Sequence, residues 1–143
     1  MRARLTILYT GVTTDLRDIL LKDKPEAMTS VSPKATVPVL NTGAEIFEES
    51  RDIMMWALQQ NDPNGWLDMP ADGHALIDTT DGPFKKALDH TKYAIRFPER
   101  DATADRADAA DFLHQLNTRL AEQTHLFGET AKMADTAMTA LWG

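Results

Sequence analysis

The chain has 143 residues, with 22 acidic and 15 basic side chains, a net charge of −7 and no cysteine. This length allows one compact domain or two small ones, and the composition is ordinary for a globular protein. The acidic balance opposes a nucleic-acid partner, and without cysteine these residues form no disulfide or thiolate metal site. No apolar run is long enough for a membrane span, and no signal-peptide cleavage site follows the apolar residues 5–9. We therefore expect a cytoplasmic protein that does not act at a membrane.

The first 33 residues carry mixed signals. Residues 1–9 fit one helix face by spacing and a strand by composition, so both alternatives stay open. Residues 14–21 alternate in part and predict a short strand. Residues 25–28 predict a helical turn begun by Pro25, and Ser32-Pro33 marks a loop, because a residue before proline is pushed out of the helical region.

Residues 37–40 and 45–47 predict two strands of a hairpin around Asn41-Thr42-Gly43. Pro38 has no amide hydrogen for a sheet ladder, so it requires an edge position or a special geometry such as a cis peptide. Residues 50–60 predict an amphipathic helix with Ser50 as its N-cap, and a helix start attracts carboxylates. Together these features predict a binding site for a small acidic peptide, formed by a backbone edge and a helix end.

The second half lacks strand signals. A cluster of turn residues at 61–65 marks a domain boundary, and residues 74–97 predict a helix interrupted at Asp81-Gly82-Pro83. Residues 103–124 and 131–142 predict two more helices. The first of these has apolar side chains on one face and aspartates away from it: Ala109, Phe112, Leu113, Leu116 and Leu120 against Asp101, Asp105, Asp108 and Asp111.

Strand–turn–helix material followed by an all-helical half predicts a thioredoxin-like domain joined to a helical domain, an α/β plus all-α fold. We place the first domain at residues 1–61, a linker at 62–70 and the helical domain at 71–143.

Several segments carry a family resemblance that covers nearly the whole chain. In the first half they are Ser32-Pro33-Lys34, Val37-Pro38-Val39-Leu40 and Glu49-Ser50; in the second they are 81–85, 92–93, 127–128 and 134–135. With these segments the chain resembles the soluble glutathione S-transferases, in particular a bacterial subgroup. A proline between two valines, followed at this distance by Glu-Ser, is a fairly specific pattern of the glutathione site in that family.

The resemblance implies a glutathione site. Pro38 would be the cis-proline that presents the backbone of Val37 to the cysteinyl part of glutathione. Glu49 and Ser50 would hold the γ-glutamyl end, which agrees with an acceptor for the ammonium and a helix start for the carboxylate. Lys34 would lie near the glycyl carboxylate.

A second set of residues lies near the domain cleft in the family. Tyr93 and Phe97 would line a pocket for a hydrophobic co-substrate, and ordinary packing between helices is an equal alternative.

The sequence also departs from the family pattern. In the subgroup, a strand and a turn with the catalytic Cys, Ser or Tyr come directly before the segment that is Met1–Leu5 here. We therefore expect an incomplete thioredoxin-like domain without its first strand and a truncated helical domain. One account is a fragment of a longer transferase; the other is a shortened relative in which Leu5–Tyr9 fills the place of the missing strand. We prefer the first. Lys132 also stands where a serine or threonine cap is usual.

The functional expectation follows from this resemblance. The family binds glutathione, lowers the pKa of its thiol and lets the thiolate attack a small electrophile, or exchanges thiols with a disulfide. This chain supplies binding residues but no activating residue, so we expect little or no transferase activity from it. The alternative is a non-catalytic interaction or regulatory module of the same fold. The net negative charge disfavours a relative that associates with nucleic acid. Because members of the family are commonly dimers, the resemblance also implies a homodimer.

Other polar residues have ordinary explanations. His74, His90, His114 and His125 lack metal-ligand spacing, so we expect surface or cap positions and no metal site. Tyr9 falls well after the family's catalytic position and is predicted to pack in the core. The basic residues Lys85, Lys92, Arg96 and Arg100 are predicted to pair with the acidic face of the next helix.

Overall fold

The computed structural model describes residues 1–139. Its contacts divide the chain into two compact units, one of residues Met1–Leu67 with Thr139 and one of residues Asp68–Met138. The fold combines a two-stranded antiparallel sheet with helices, as the α/β plus all-α prediction required. Within residues 1–139, no helix has the length and apolar character needed to cross a bilayer.

The first unit has three helices and two short strands. They are α1 (Arg2–Thr10), α2 (Glu26–Thr29), β1 (Leu40–Asn41), β2 (Ile46–Phe47) and α3 (Ser50–Gln60). Helices α1 and α3 pack on each other. The α3 side chains at the predicted apolar spacing are all buried, namely Ile53, Met54, Ala57 and Leu58. The prediction of this helix over residues 50–60 is confirmed with its bounds.

The sequence left residues 1–9 open, and all of them except Met1 are helical. The helix α1 ends at Gly11, which has a positive φ of 71° and donates its N–H to the Leu8 carbonyl. The alternative in which Leu5–Tyr9 forms a strand is wrong, because Ala3 and Thr6 pack at helical spacing against the rest of the unit.

The predicted strand over residues 14–21 is also wrong. This segment forms no strand, and a single isolated bridge joins Leu20 to Asp23. Leu16, Leu20 and Leu21 are 63–64% exposed, so no neighbouring strand stabilises an extended ladder here. The predicted turn of helix at Pro25 is confirmed as α2, which directly follows Pro25.

The hairpin is confirmed in a shorter form than the sequence predicted. Leu40 pairs with Phe47 and Asn41 with Ile46. The turn is held by Thr42, whose N–H donates to the Glu45 carbonyl over 3.0 Å. Residues 37–39 precede the ladder, because Pro38 contributes no donor to it.

The second unit is helical. Its elements are α4 (Ala71–Thr79), a π-helical turn (Thr80–Phe84), α5 (Lys85–Lys92), a 3-10 turn (Ala94–Arg96), α6 (Ala102–Glu122) and α7 (Met133–Ala137). The predicted break at residues 81–83 is the π-helical turn, which accommodates Pro83 without its amide hydrogen. The last predicted helix begins near Met133, and its predicted residues 140–142 lie outside the described residues.

The predicted faces of α6 need two corrections. Phe112 and Leu116 are buried, but Leu113 and Leu120 are each 48% exposed, so the apolar stripe is narrower than predicted. Asp105, which was placed on the solvent side, is only 4% exposed. It is covered because Arg100, just before the helix, and His90 of α5 both contact its carboxylate.

Candidate functional site

The segment before the hairpin has the backbone geometry that the sequence predicted. The peptide bond between Val37 and Pro38 is cis. Val37 is 49% exposed and thus lies on the surface of the first unit. The function of this backbone as a ligand edge stays a prediction.

The predicted acidic-peptide site also needs the start of α3. Glu49 is the N-cap residue in extended conformation, with φ −112° and ψ 136°, and Ser50 is the first helical residue. The prediction that Ser50 is the N-cap is therefore wrong by one position. Glu49 makes no side-chain capping bond, so the first-turn N–H groups keep their partial positive charge for an external acceptor.

Lys34 and Glu49 contact each other. Lys34 Nζ lies 3.3 Å from Glu49 Oε1, and both side chains are more than half exposed. Exposed pairs of this kind contribute little to stability. Both side chains can therefore exchange this contact at small cost for the charged groups of a ligand. Glutathione is such a ligand, because it carries an ammonium and two carboxylates.

Sequence reasoning missed two residues that support this region. Arg2 of α1 donates from Nε to Ser50 Oγ over 2.8 Å and is only 8% exposed. Ser32 is fully buried and donates from Oγ to Glu48 Oε1 over 2.6 Å, which ties the loop before Lys34 to the residue before Glu49. The sequence carries no signal for Arg2, because only the packing of α1 on α3 brings it to Ser50. Nothing in the sequence pairs Ser32 with Glu48.

Tyr9 is engaged in its own unit. Its ring stacks on Trp66 with centroids 3.6 Å apart, and its hydroxyl accepts from the Asn64 N–H over 2.8 Å. Burial is the main cause that raises the pKa of the Tyr9 hydroxyl, and the charge of Asp62 raises it further, against a lowering by the Asn64 bond. A hydroxyl held in this way does not suit the activation of a thiol.

Tyr93 and Phe97 both belong to the second unit. Tyr93 is 39% exposed, and the guanidinium of Arg96 lies over its ring at 4.8 Å. Phe97 makes an edge contact with the His90 ring, with centroids 4.6 Å apart. Phe97 thus packs inside the unit, and Tyr93 has the more available ring. Their role towards a co-substrate stays a prediction.

The histidines and carboxylates do not gather into a metal site. Within residues 1–139, no three His, Cys, Asp or Glu side chains come together in a group that would hold an ion. His90 lies with Nδ1 3.2 Å from Asp105 Oδ2 and has a side chain only 19% exposed. His90 lies in the last turn of α5, which agrees with a cap position, and its ring contacts α6 through Asp105.

Residues 1–65 match the family model "Glutathione S-transferase, N-terminal domain". No curated protein sequence matches the chain.

Solved structures of glutathione transferases have the same fold. Glutathione S-transferase 1-6 from Anopheles dirus species B is 19% identical, with a TM-score of 0.76 over 96% of this chain and 69% of that one. A delta-class glutathione transferase from Nilaparvata lugens is 21% identical, with a TM-score of 0.75 over 97% and 70%. The theta-class glutathione S-transferase from Xanthomonas axonopodis pv. citri, solved with glutathione bound, is 23% identical, with a TM-score of 0.72 over 99% and 74%. Residues 1–65 therefore match the N-terminal domain of glutathione S-transferases, and the chain as a whole has the glutathione S-transferase fold.

Proposed function

We propose that this chain binds glutathione on its first unit. The proposal rests on one observation: in the unit that matches the family model, Lys34 Nζ lies 3.3 Å from Glu49 Oε1, beside Ser50 at the start of α3. The backbone of Val37 would hold the cysteinyl part. Glu49 would hold the γ-glutamyl ammonium, and Ser50 with the first-turn amides would hold its carboxylate.

Lys34 is the proposed partner of the glycyl carboxylate. It now contacts Glu49, so binding would replace this exposed pair by two pairs, one between Lys34 and a ligand carboxylate and one between Glu49 and the ligand ammonium. The net charge on the protein side of the site is unchanged by this exchange. In the family's chemistry the bound thiol then reacts with a small electrophile or a disulfide, and Tyr93 with Phe97 would contact that co-substrate.

A non-catalytic binding or regulatory module is the second candidate. It is favoured by the absence of cysteine from the 143 residues and by the engagement of the Tyr9 hydroxyl with Asn64 and Asp62. None of the residues proposed to bind glutathione is a thiol activator. The first candidate predicts glutathione binding with little or no conjugation by residues 1–143, whereas the module predicts no glutathione binding. We place the protein in the cytoplasm and expect homodimers, following the family.

Retention on immobilised glutathione separates the two candidates. We expect the purified chain to be retained and to elute with free glutathione. Ser50→Ala should abolish retention, because it removes the hydroxyl from the start of α3. Ser30→Ala is the matched control, since Ser30 is an exposed serine of the same unit whose hydroxyl donates to the Ala27 carbonyl. If Ser50→Ala is retained like the wild type, the proposed site is contradicted. If the wild type is not retained, the proposed binding is contradicted and the module is favoured.

The same preparation should show little or no conjugation of glutathione with an electrophilic aromatic substrate. A robust rate would refute the expectation that these residues lack a thiol activator, and it would favour the enzyme over the module.

A further inference from the structure

Arg2 occupies an unusual position behind the start of α3. Arginine is seldom buried unless it is paired, and Arg2 is only 8% exposed. Its Nε lies 2.8 Å from Ser50 Oγ, at the residue proposed to hold a ligand carboxylate. The side chain reaches this point because α1 packs along α3.

The direction of this hydrogen bond is fixed by chemistry. A guanidinium has five N–H donors and no acceptor, and it keeps its charge at all physiological pH values. Ser50 Oγ must therefore accept from Arg2. A serine hydroxyl that accepts in this way still has its own hydrogen to donate, whereas an isolated hydroxyl rotates freely between both roles.

A carboxylate is an acceptor only, so it requires a donor at the site. We propose that Arg2 is a positioning residue of the glutathione site: by donating to Ser50 Oγ, it keeps the Ser50 hydroxyl as a donor directed to the α-carboxylate of the γ-glutamyl group. This makes the site select a ligand that carries this carboxylate. The inference rests on the proposed glutathione binding.

The burial of Arg2 distinguishes its role from that of the exposed charges nearby. Lys34 and Glu49 are more than half exposed and must be ordered when a ligand binds. Arg2 and Ser50 are already in contact, so their arrangement is formed before the ligand arrives. Preorganised groups of this kind favour affinity because less conformational freedom is lost on binding.

The test compares two ligands that differ in one group. One is glutathione, and the other is its analogue with 4-aminobutyrate in place of the γ-glutamyl residue, which lacks only the α-carboxylate. Titration calorimetry gives Kd for each. We expect the wild type to prefer glutathione by about tenfold or more, because a charge-assisted hydrogen bond is lost with the analogue.

Arg2→Gln is the main variant, because glutamine can accept as well as donate and no longer fixes the role of Ser50. We expect its preference for glutathione to fall severalfold, with little change in the Kd of the analogue. Arg2→Lys keeps a donor-only side chain and should retain most of the preference. Arg4→Gln is the matched control on the same helix, because Arg4 is exposed and pairs with Asp18.

The outcomes separate the two proposals. If the wild type binds neither ligand, the proposed function fails and this inference loses its basis. If the wild type binds and Arg2→Gln keeps the full preference, the inference is overturned while the proposed function stands. Equal weakening of both ligands in Arg2→Gln would also overturn it, because this indicates a purely structural role.

A measurement on the wild type covers the case in which Arg2→Gln does not fold. The NMR signal of the Arg2 Nε–H in the wild type should shift on saturation with glutathione, but much less with the analogue. A signal that is the same with both ligands would overturn the inference.

Discussion

Asp105 joins three parts of the second unit. Its carboxylate accepts from Arg100 Nη2 over 2.8 Å and lies 3.2 Å from His90 Nδ1. The hydrogen bonds from Arg100 lower the pKa of the Asp105 carboxyl below its ordinary value of 3.8, burial opposes this, and His90 adds a smaller lowering. Because the folded pKa is the lower one, the stabilisation is fully present above pH 3.8 and is lost as the pH falls through the folded value.

Asp105→Asn should therefore lower Tm at neutral pH. The gap in Tm between the variant and the wild type should close in acid. The amide keeps the shape of the side chain but loses the charge that Arg100 and His90 contact. Thermal unfolding followed by circular dichroism across this titration measures the gap. Asp111→Asn, an exposed site on the same helix, is the control and should show almost no gap. A gap for Asp105→Asn that is constant with pH would contradict the conclusion that the charge of Asp105 stabilises the fold.

Single residues were predictable where their own chemistry is restrictive. Pro38 lacks a donor, which pointed to the cis peptide that the structure shows. Asp105 was misplaced because helical spacing predicts on which face of the helix a residue lies, but not which residues of other segments cover that face. Arg2 was missed because only the packing of α1 on α3 brings it to Ser50.

The loop before α7 and the first turn of α7 depend on one carboxylate. Asp135 accepts with Oδ2 from the Lys132 N–H over 2.8 Å and with Oδ1 from the Leu126 N–H over 2.9 Å. This is the carboxylate half of a capping box; lysine cannot supply the other half, because its side chain has no acceptor. The helix is thus anchored to the preceding loop despite the imperfect cap that the sequence showed.

Asp135→Ala should destabilise the protein by about 2 kcal/mol, because two backbone donors lose their acceptors. Asp135→Asn should cost about half of this, since its single oxygen can serve one donor. Urea unfolding gives both values. Glu129→Ala, on the exposed loop before α7, is the control and is expected within about 0.5 kcal/mol of the wild type. Equal costs for both Asp135 variants would show that the two bonds are not independent.

Helices with clear periodicity were predictable with their bounds, as α3 shows. The segment 14–21 was not, because its partial alternation resembles a strand although it lacks a partner in the ladder. The helix α1 stayed ambiguous because Leu5, Ile7 and Tyr9 suit a strand by composition, while burial at Ala3 and Thr6 decides for a helix. Local preference is weak in such short segments, and tertiary packing overrides it.

Each unit has a buried core of its own. Ile53, Met54 and Leu58 form that of the first unit, with exposures of 2% or less. In the second unit Phe84 and Phe112 form a tilted aromatic pair with centroids 4.8 Å apart. Composition and net charge bounded the class of protein, but they do not say which members of an apolar stripe reach the core.

Phe112 and Leu113 test this distinction, because the sequence placed both on the buried face of α6. Phe112 is 5% exposed and Leu113 is 48% exposed. Phe112→Ala should cost about 3–5 kcal/mol, since it leaves a cavity beside Phe84. Leu113→Ala should cost less than about 1 kcal/mol, because half of its side chain already contacts water. Urea unfolding of the two variants measures both costs. Similar costs would mean that α6 buries the wider stripe that its sequence predicts, and that Leu113 is covered in the protein in solution.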